Sequence, residues 1–390
     1  MDFISAYASD LSLIELVLSA TLLFLFIILI SYSLILFRKT YTYQKKNINS
    51  NVDDNKLPGI SVIITSKNDS EELERNLPFV MNQDYPKFEV IVVNSGSTDD
   101  TDVIIKAAEQ KYSQLYHTFI PAGADEINEK KLAITLGVKA AKHDIVLFTE
   151  AYCRPASEKW IREFGLEFLK GKDIILGYSR ILFRKKIRFN RFISYDNLIH
   201  HLKFLSLTLY KKPFMGIGRN MAYKKEIFFT NKGFSSVLGI DGGEDDLFLN
   251  YISTKKNTGV VLSKESITET DSVDSFSTWK SIKSKYIYTK QFYKGPANFI
   301  FGLGNFTKYF FDFACLLAIA ISILYSNYIL LGLSIILHLI RFIVQLIVIN
   351  KNSFLFDGKK FNINLLFFEF IQPISNLKFK KYANKRNRYR

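Results

Sequence analysis

The chain of 390 residues carries 52 Lys and Arg against 37 Asp and Glu, a net charge of +15, with 48% hydrophobic residues and only 2 Cys. At ~150 residues per domain this length suggests two or three structural units, and the apolar fraction excludes a disordered tail. Two cysteines, Cys153 and Cys315, exclude a disulfide-stapled mini-protein and a Cys-rich zinc module, and both read as reduced.

Taken in chain order, the first predicted element is Leu16 to Phe37, an apolar run broken only by Ser and Thr. It is long enough to span a ~30 Å hydrocarbon core; a buried core helix is the competing reading. Asp2, Asp10 and Glu15 precede it with no Lys or Arg, unlike a secretory signal. Arg38, Lys39, Lys45 and Lys46 come directly after it. The positive-inside rule then puts the N-terminus outside and the chain beyond Phe37 in the cytoplasm. The expected division is an anchor over 1–38, a linker over 39–57 with a polar stretch at Asn47–Leu57, and a folded region over 58–298.

Within that region β-branched runs predict strands at Ile60–Thr65, Phe88–Val93, Tyr116–Phe119, Ile145–Thr149 and Ile174–Gly177. Helical patterns lie between them at Glu71–Asn82, Asp99–Lys111, Asn128–Ala141 and Glu158–Leu169. Such alternation indicates βαβ units and a mostly parallel, Rossmann-like α/β sheet flanked by helices. Ligands of these sheets sit beyond the carboxyl ends of the strands. That singles out Ser66–Asn68, Asn94–Ser97 and Glu150–Cys153, although the first two also read as plain turn chemistry. There is no GxGxxG and no GxxxxGK[ST] pattern. Phe192–Tyr210 reads as an amphipathic helix. Beyond it, Gly242 and Gly243 lead into three consecutive carboxylates, Glu244, Asp245 and Asp246. Mutual repulsion and desolvation raise carboxylate pKa values, which suits a general base or a metal ligand; a solvated acidic helix N-terminus is the other reading.

Tyr309 to Ile349 is too long for one span and has Ser326 and Asn327 near its middle. It predicts a helical hairpin, Tyr309–Tyr325 and Tyr328–Ile349. His338, Arg341 and Gln345 share one helix face, and with Asp312 they serve either substrate contacts or helix–helix adhesion. Phe361–Ile374, with Glu369 and Pro373, is too short to span and suits an interfacial helix; 299–377 thus forms a hairpin plus interfacial helix. The tail over 378–390 holds Lys378, Lys380, Lys381, Lys385, Arg386, Arg388 and Arg390 and no acid. Such a run beside a membrane segment predicts binding to anionic lipid on the cytoplasmic face. Nucleic acid is not an expected partner, because no basic reading surface accompanies the charge.

Read in order, these stretches resemble a membrane-bound family 2 glycosyltransferase with a GT-A fold. The likeness covers roughly Pro58 to Tyr286. It is carried by Pro58–Thr65 with Asn68, by Asn82–Asn94 continuing into Ser95–Thr101, and by Lys130, Lys131, Leu132 and Ala133 with Gly137. Thr149–Pro155, Gly216–Asn220 and Gly243–Asn250 complete it. The resemblance implies one N-terminal and two C-terminal transmembrane helices, the cell inner membrane as location, and a part in cell-envelope glycan biosynthesis. It implies a nucleotide-sugar donor, UDP- or GDP-linked, near Ser66, Asn68, Asn94, Ser95, Lys130, Lys131, Tyr152 and Lys285. A divalent cation, Mn²⁺ or Mg²⁺, is expected at Glu150, and acceptor contacts at Gly218, Arg219 and Asn220. Asp245, with Glu244 and Asp246 beside it, is expected to deprotonate a lipid-linked or glycan acceptor, with inversion at the sugar.

Three positions depart from the family pattern. Asn94 and Ser95 replace an acid pair. Glu150-Ala151-Tyr152 replaces DxD, putting a neutral phenol where a second acid would ligate the cation. Ile282–Tyr286 stands where a QxxRW-like motif belongs, with Lys285 for Arg; Gln291–Lys294 is a poorer-placed alternative. These departures make a catalytically degenerate scaffold in a membrane glycan-assembly complex the alternative function.

Overall fold

A computed structural model describes residues 13–46, 53–120, 129–183 and 189–388. The apolar N-terminal run forms α1 (Leu13–Ser31), which passes through a π-helical turn at Tyr32–Phe37 into α2 (Arg38–Lys46). Residues 39–46, read from sequence as linker, therefore continue the helix. The N-terminal acids Asp2 and Asp10 and residues 47–52 of the linker lie outside the described residues.

The alternating pattern beyond Pro58 gives β1 (Ile60–Ser66), α3 (Ser70–Met81), β2 (Phe88–Ser95), α4 (Thr101–Lys111), β3 (Leu115–Ile120), α5 (Glu129–Ala140) and β4 (Ile145–Glu150). Next come β5 (Cys153–Pro155), α6 (Trp160–Leu169), β6 (Ile174–Leu176), β7 (Ser179–Ile181), α7 (Asn190–Leu209), β8 (Met221–Lys224), α8 (Lys225–Thr230), α9 (Asp246–Ile252), β9 (Thr258–Val260) and β10 (Thr268–Thr270). A seven-stranded sheet has the order β3-β2-β1-β4-β8-β6-β9, and a three-stranded sheet joins β5, β10 and β7. Strands β1 to β4 pair in parallel, with Ser66 opposite Asn94 and Thr65 opposite Glu150. The candidate strand ends therefore share one edge. β8 is antiparallel to both β4 and β6 and brings Met221 opposite Phe148.

Strands β1, β2 and β4 are buried on both faces, as continuous Val and Ile runs require when helices cover a parallel sheet. Burying each such side chain contributes about 1.5–3 kcal/mol. Helix α5 approaches the sheet at Gly137, where a Cβ would lie 2.7 Å from Cγ2 of Ile63. That close approach fixes the start of α5, and with it Lys130, above the strand ends.

Helix α7 corrects the amphipathic reading. Phe192, Ile193, Tyr195, Leu198, Leu202 and Phe204 are buried, and so are Asp196, Asn197 and His201. The helix is enclosed on all sides, so polar residues on it indicate buried partners and not a solvent face. Asp196 receives hydrogen bonds from Lys283 Nζ (2.7 Å), Trp279 Nε1 (3.0 Å) and Gln372 Nε2 (3.0 Å). Lys283 and Trp279 lie on α10 (Phe276–Thr289).

The chain closes with α11 (Ala297–Leu324), α12 (Tyr328–Leu355) and α13 (Asn364–Arg388). Three helices, Leu13–Gln44, Ala297–Leu324 and Tyr328–Leu355, are long and apolar enough to cross a membrane. Asn327 caps α12 by accepting from the backbone N–H of Leu330. The polar residues inside the hairpin find one another: Arg341 approaches Asp312 at 3.4 Å and Glu369 at 3.6 Å, drawing α11, α12 and α13 together. That contact favours the adhesive reading of this polar face. The interfacial helix is longer than its apolar core suggested. Helix α13 runs on through the basic tail, and Phe379 and Ala383 are buried against the rest of the chain.

Candidate active site

The cleft lies at the carboxyl ends of β1 and β4 and is walled by Lys130, Glu150, Tyr152, Arg219, Gly242–Asp246, Lys285, Tyr286 and Thr289. Left-handed backbone at Gly242 (φ +80°) and Gly243 (φ +83°) turns the chain sharply before the three acids. Glu244 and Asp245 then face the ammonium of Lys130. Its Nζ is 2.6 Å from Glu150 Oε1 and 3.3 Å from Glu244 Oε1. Gly218 lies between two acids, where even a Cβ would make only ordinary contacts, 3.5 Å from Asp245 Oδ2 and 3.6 Å from Glu150 Oε1.

The three consecutive acids have three different surroundings. Burial opposes ionisation of Glu244, yet the Lys130 ammonium prevails and holds its pKa low. Burial raises the pKa of Asp245, and the charge of Glu244 raises it further. Asp245 Oδ2 accepts from Gly218 N (2.9 Å) and Tyr286 Oη (2.8 Å), and Oδ1 accepts from the backbone N–H of Asp246. Asp246 is pushed well above the carboxylate range by burial and by its neighbour Asp245. Its Oδ2 accepts from the hydroxyls of Thr289 and Tyr293. Asp245 and Asp246 both have a raised proton affinity and both line the cleft, but Asp246 is 1% exposed and held by two hydroxyls, which leaves Asp245, at 7%, the more accessible of the two.

Other residues expected at the site divide between the cleft and its supports. Asn68 Oδ1 accepts from Thr98 N (2.8 Å), and Asn94 Oδ1 accepts from Ser97 N (3.1 Å). Asn68 thus ties the β1 loop to the β2 loop, and Asn94 braces the β2 loop on itself. Ser66 and Ser95 are buried beside them. Lys131 turns away from Lys130 and donates to the carbonyl of Ile240. Asn220 is locked in the core: its Nδ2 donates to Tyr178 O and Ser266 O, and its Oδ1 accepts from Trp160 Nε1. Arg219 and Lys285 do line the cleft. Tyr286 and Thr289, one turn apart on α10, and Tyr293 just beyond it hold the acids; Tyr286 and Tyr293 fall inside the two QxxRW-like registers, but none of the three carried this role in the sequence reading. A larger cavity, about 410 Å³, lies away from this chemistry between the Leu34–Thr42 segment and α12.

Residues 61–229 match the family model for glycosyl transferase family 2. Glycosyltransferase AglE of Haloferax volcanii is 31% identical over 122 residues, covering 31% of this chain and 38% of that protein. The poly-beta-1,6-N-acetyl-D-glucosamine synthase of Staphylococcus aureus is 32% identical over 111 residues, covering 28% of this chain and 25% of that protein. The chain thus matches well under half the length of these curated relatives. The mannosyltransferase PcManGT from Pyrobaculum calidifontis, solved in complex with GDP-Man and Mn²⁺, superposes with a TM-score of 0.55 at 16% identity. It covers 87% of this chain and 98% of that one. The likeness shows the GT-A fold.

A divalent cation in such a domain asks for several anionic oxygens converging on one point. In this cleft Glu150 Oε1 accepts from Lys130 and Oε2 accepts from Thr65 Oγ1 (3.1 Å). Burial pushes ionisation of Tyr152 well above the ordinary tyrosine range. Among the described residues no group of three His, Cys, Asp or Glu side chains is placed to hold a metal ion. The residues present do not fit a resident divalent cation, and the chemistry assigned to this cleft runs through none.

Proposed function

We propose that the protein is a membrane-bound, inverting glycosyltransferase that moves a sugar from a UDP- or GDP-linked donor to a hydroxyl of a lipid-linked or glycan acceptor. The catalytic unit is residues 58–298, held at the cytoplasmic face of the cell inner membrane with the N-terminus outside and the basic tail on anionic lipid. The observation that carries this reading is the arrangement of the acids at the strand ends: Glu244 lies 3.3 Å from the Lys130 ammonium, while Asp245, its pKa raised by burial and by Glu244, is held by Gly218 N–H and Tyr286 Oη on the cleft wall. A general base works best with a pKa near the working pH.

In the proposed reaction Asp245 takes the proton of the acceptor hydroxyl. The acceptor oxygen attacks the anomeric carbon from the face opposite the leaving group. The bond from that carbon to the phosphate oxygen breaks, and its electron pair leaves with the nucleoside diphosphate. Gly218 N–H and Tyr286 Oη fix the Asp245 carboxylate during the transfer.

The test is transfer by the detergent-solubilised full chain across a panel of UDP- and GDP-sugars with lipid-phosphate and glycan acceptors. Asp245→Asn should lower kcat by about 10²–10⁴. Unchanged transfer by the Asn variant would show that Asp245 is not the base. The scaffold reading draws on Tyr152 and on the engagement of both Glu150 oxygens; absence of transfer with every donor by a folded, nucleotide-binding protein would favour it.

A further inference from the structure

Arg219 is 4% exposed and forms part of the cleft wall, yet its Nη1 has no hydrogen-bond partner. A guanidinium stays charged at physiological pH, and a buried donor left unsatisfied is costly. The side chain is not placed by accident of a loose loop. The Arg219 carbonyl accepts from Thr268 Oγ1 (3.0 Å), and the next residue, Asn220, is bonded on three sides. Tyr286, Tyr152, Cys153 and Glu150 lie within electrostatic reach of Arg219. Two of these, Tyr152 and Glu150, belong to the segment that replaces DxD.

The anionic side of the cleft is already compensated. Lys130 bridges Glu150 and Glu244, and the hydroxyls of Thr289 and Tyr293 cover Asp246. That leaves, as further cationic groups of the cleft wall, Arg219, whose Nη1 is buried without a hydrogen-bond partner, and at the rim the exposed side chain of Lys285. A guanidinium suits phosphate oxygens, which it binds with two parallel N–H donors.

We propose that Arg219, with Lys285 at the rim, binds the diphosphate of the donor without a divalent cation, and that the Lys130 ammonium fills the place at Glu150 where a metal ion would sit. Arg219 is then a donor-side residue and not the acceptor contact its sequence position suggested. The inference rests on the glycosyltransferase function proposed for this cleft and names how that same site takes its donor. It makes nucleotide binding insensitive to chelators.

The experiment is calorimetric titration of the detergent-solubilised full chain with UDP and GDP, in EDTA and then in Mn²⁺. Saturable binding in EDTA, changed less than about threefold by Mn²⁺, is expected for one nucleotide. In EDTA, Lys285→Gln should weaken it about tenfold and Arg219→Gln by about 10- to 100-fold, the worth of a charge-assisted hydrogen bond. Lys285 is exposed, so its variant reports on binding even where the Arg219 variant does not fold. Lys130→Met uncovers Glu150 and Glu244 and should make binding depend on Mn²⁺. Binding by the wild-type protein only in Mn²⁺ would overturn the inference and leave the glycosyltransferase reading standing. Unchanged affinity in Lys285→Gln and in folded Arg219→Gln would overturn the assigned residues. Binding of neither nucleotide under either condition would instead overturn the donor reading itself.

Discussion

The phenol of Tyr286 donates a 2.8 Å hydrogen bond to Oδ2 of Asp245, so a helix 41 residues further along the chain sets the proton affinity of the candidate base. The bond stabilises the carboxylate and opposes the rise that burial and Glu244 impose. Tyr286→Phe removes it and leaves the ring in place. The pKa of Asp245 should rise, and the acid limb of the kcat/KM profile should move to higher pH. Transfer at neutral pH should fall about tenfold. An acid limb that stays where it was would separate Tyr286 from the base.

Asp196 on α7 is 1% exposed and Lys283 on α10 is 5% exposed, and they pair at 2.7 Å. Removing one partner of a buried pair leaves the other charge uncompensated, at a cost of about 3–5 kcal/mol. Lys283→Ala should therefore lower the unfolding temperature of the solubilised protein by many degrees. Lys285→Ala, two residues on but exposed, should leave it within the error of the measurement.

His201 is buried as the neutral ring. Its Nδ1 is placed to donate to Asn197 O at 2.9 Å, and its Nε2 accepts from Ser179 N at 3.3 Å. Burial pushes its pKa down to about 3, and Arg219 adds to the effect. The unfolded chain therefore takes up this proton first. The stability is complete above the unfolded value near 6.5 and is lost as pH falls below it. At pH 5 the loss is about 2 kcal/mol from this residue. Thermal unfolding at pH 7.5 and pH 5 should show it, and His201→Gln should narrow the difference between the two.

The C-terminal helix separates packing from charge. Phe276 and Phe379 rings lie 5.9 Å apart, while Lys378, Lys380, Lys381 and Lys385 are exposed. Replacing these four lysines by Gln should weaken flotation with phosphatidylglycerol vesicles and leave the unfolding temperature unchanged. Phe379→Ala should do the reverse, lowering stability by about 3–5 kcal/mol. Equal flotation by the four-Gln variant and the wild-type protein would remove the lipid role of the tail.

The parallel half of the sheet is legible in the sequence because β1, β2 and β4 are long β-branched runs, each set off by a helix. The short strands are not. Met221–Lys224 has four residues with no alternation, and β5, β7 and β10 have three each, so their pairing depends on tertiary partners. Helix α7 defeats the amphipathic reading because periodicity cannot tell a polar residue facing water from one, like Asp196, facing buried donors. At the site the acids are visible as a run, but their roles are not. Lys130 and Glu150 meet across 20 residues, and the hydroxyls that sort Asp245 from Asp246 come from Tyr286 and Thr289 on α10 and from Tyr293 beyond it. Contacts of that span leave no local pattern.

Helix α1 and its continuation are hydrogen-bonded directly to the rest of the chain. The helix from Leu13 to Gln44 is continuous, the Tyr210 hydroxyl donates to Ile35 O within its π turn at 2.6 Å, and Thr40 and Asn352 hydrogen-bond just beyond. A shaft built this way carries rotation as well as position. A bilayer thinner or thicker than the apolar length of α1 tilts it, and that tilt passes to α7 and the sheet it supports. In the membrane-bound function proposed above, the height of the cleft over the lipid surface is thereby geared to membrane thickness, and the reach to a lipid-anchored acceptor would become a function of lipid composition.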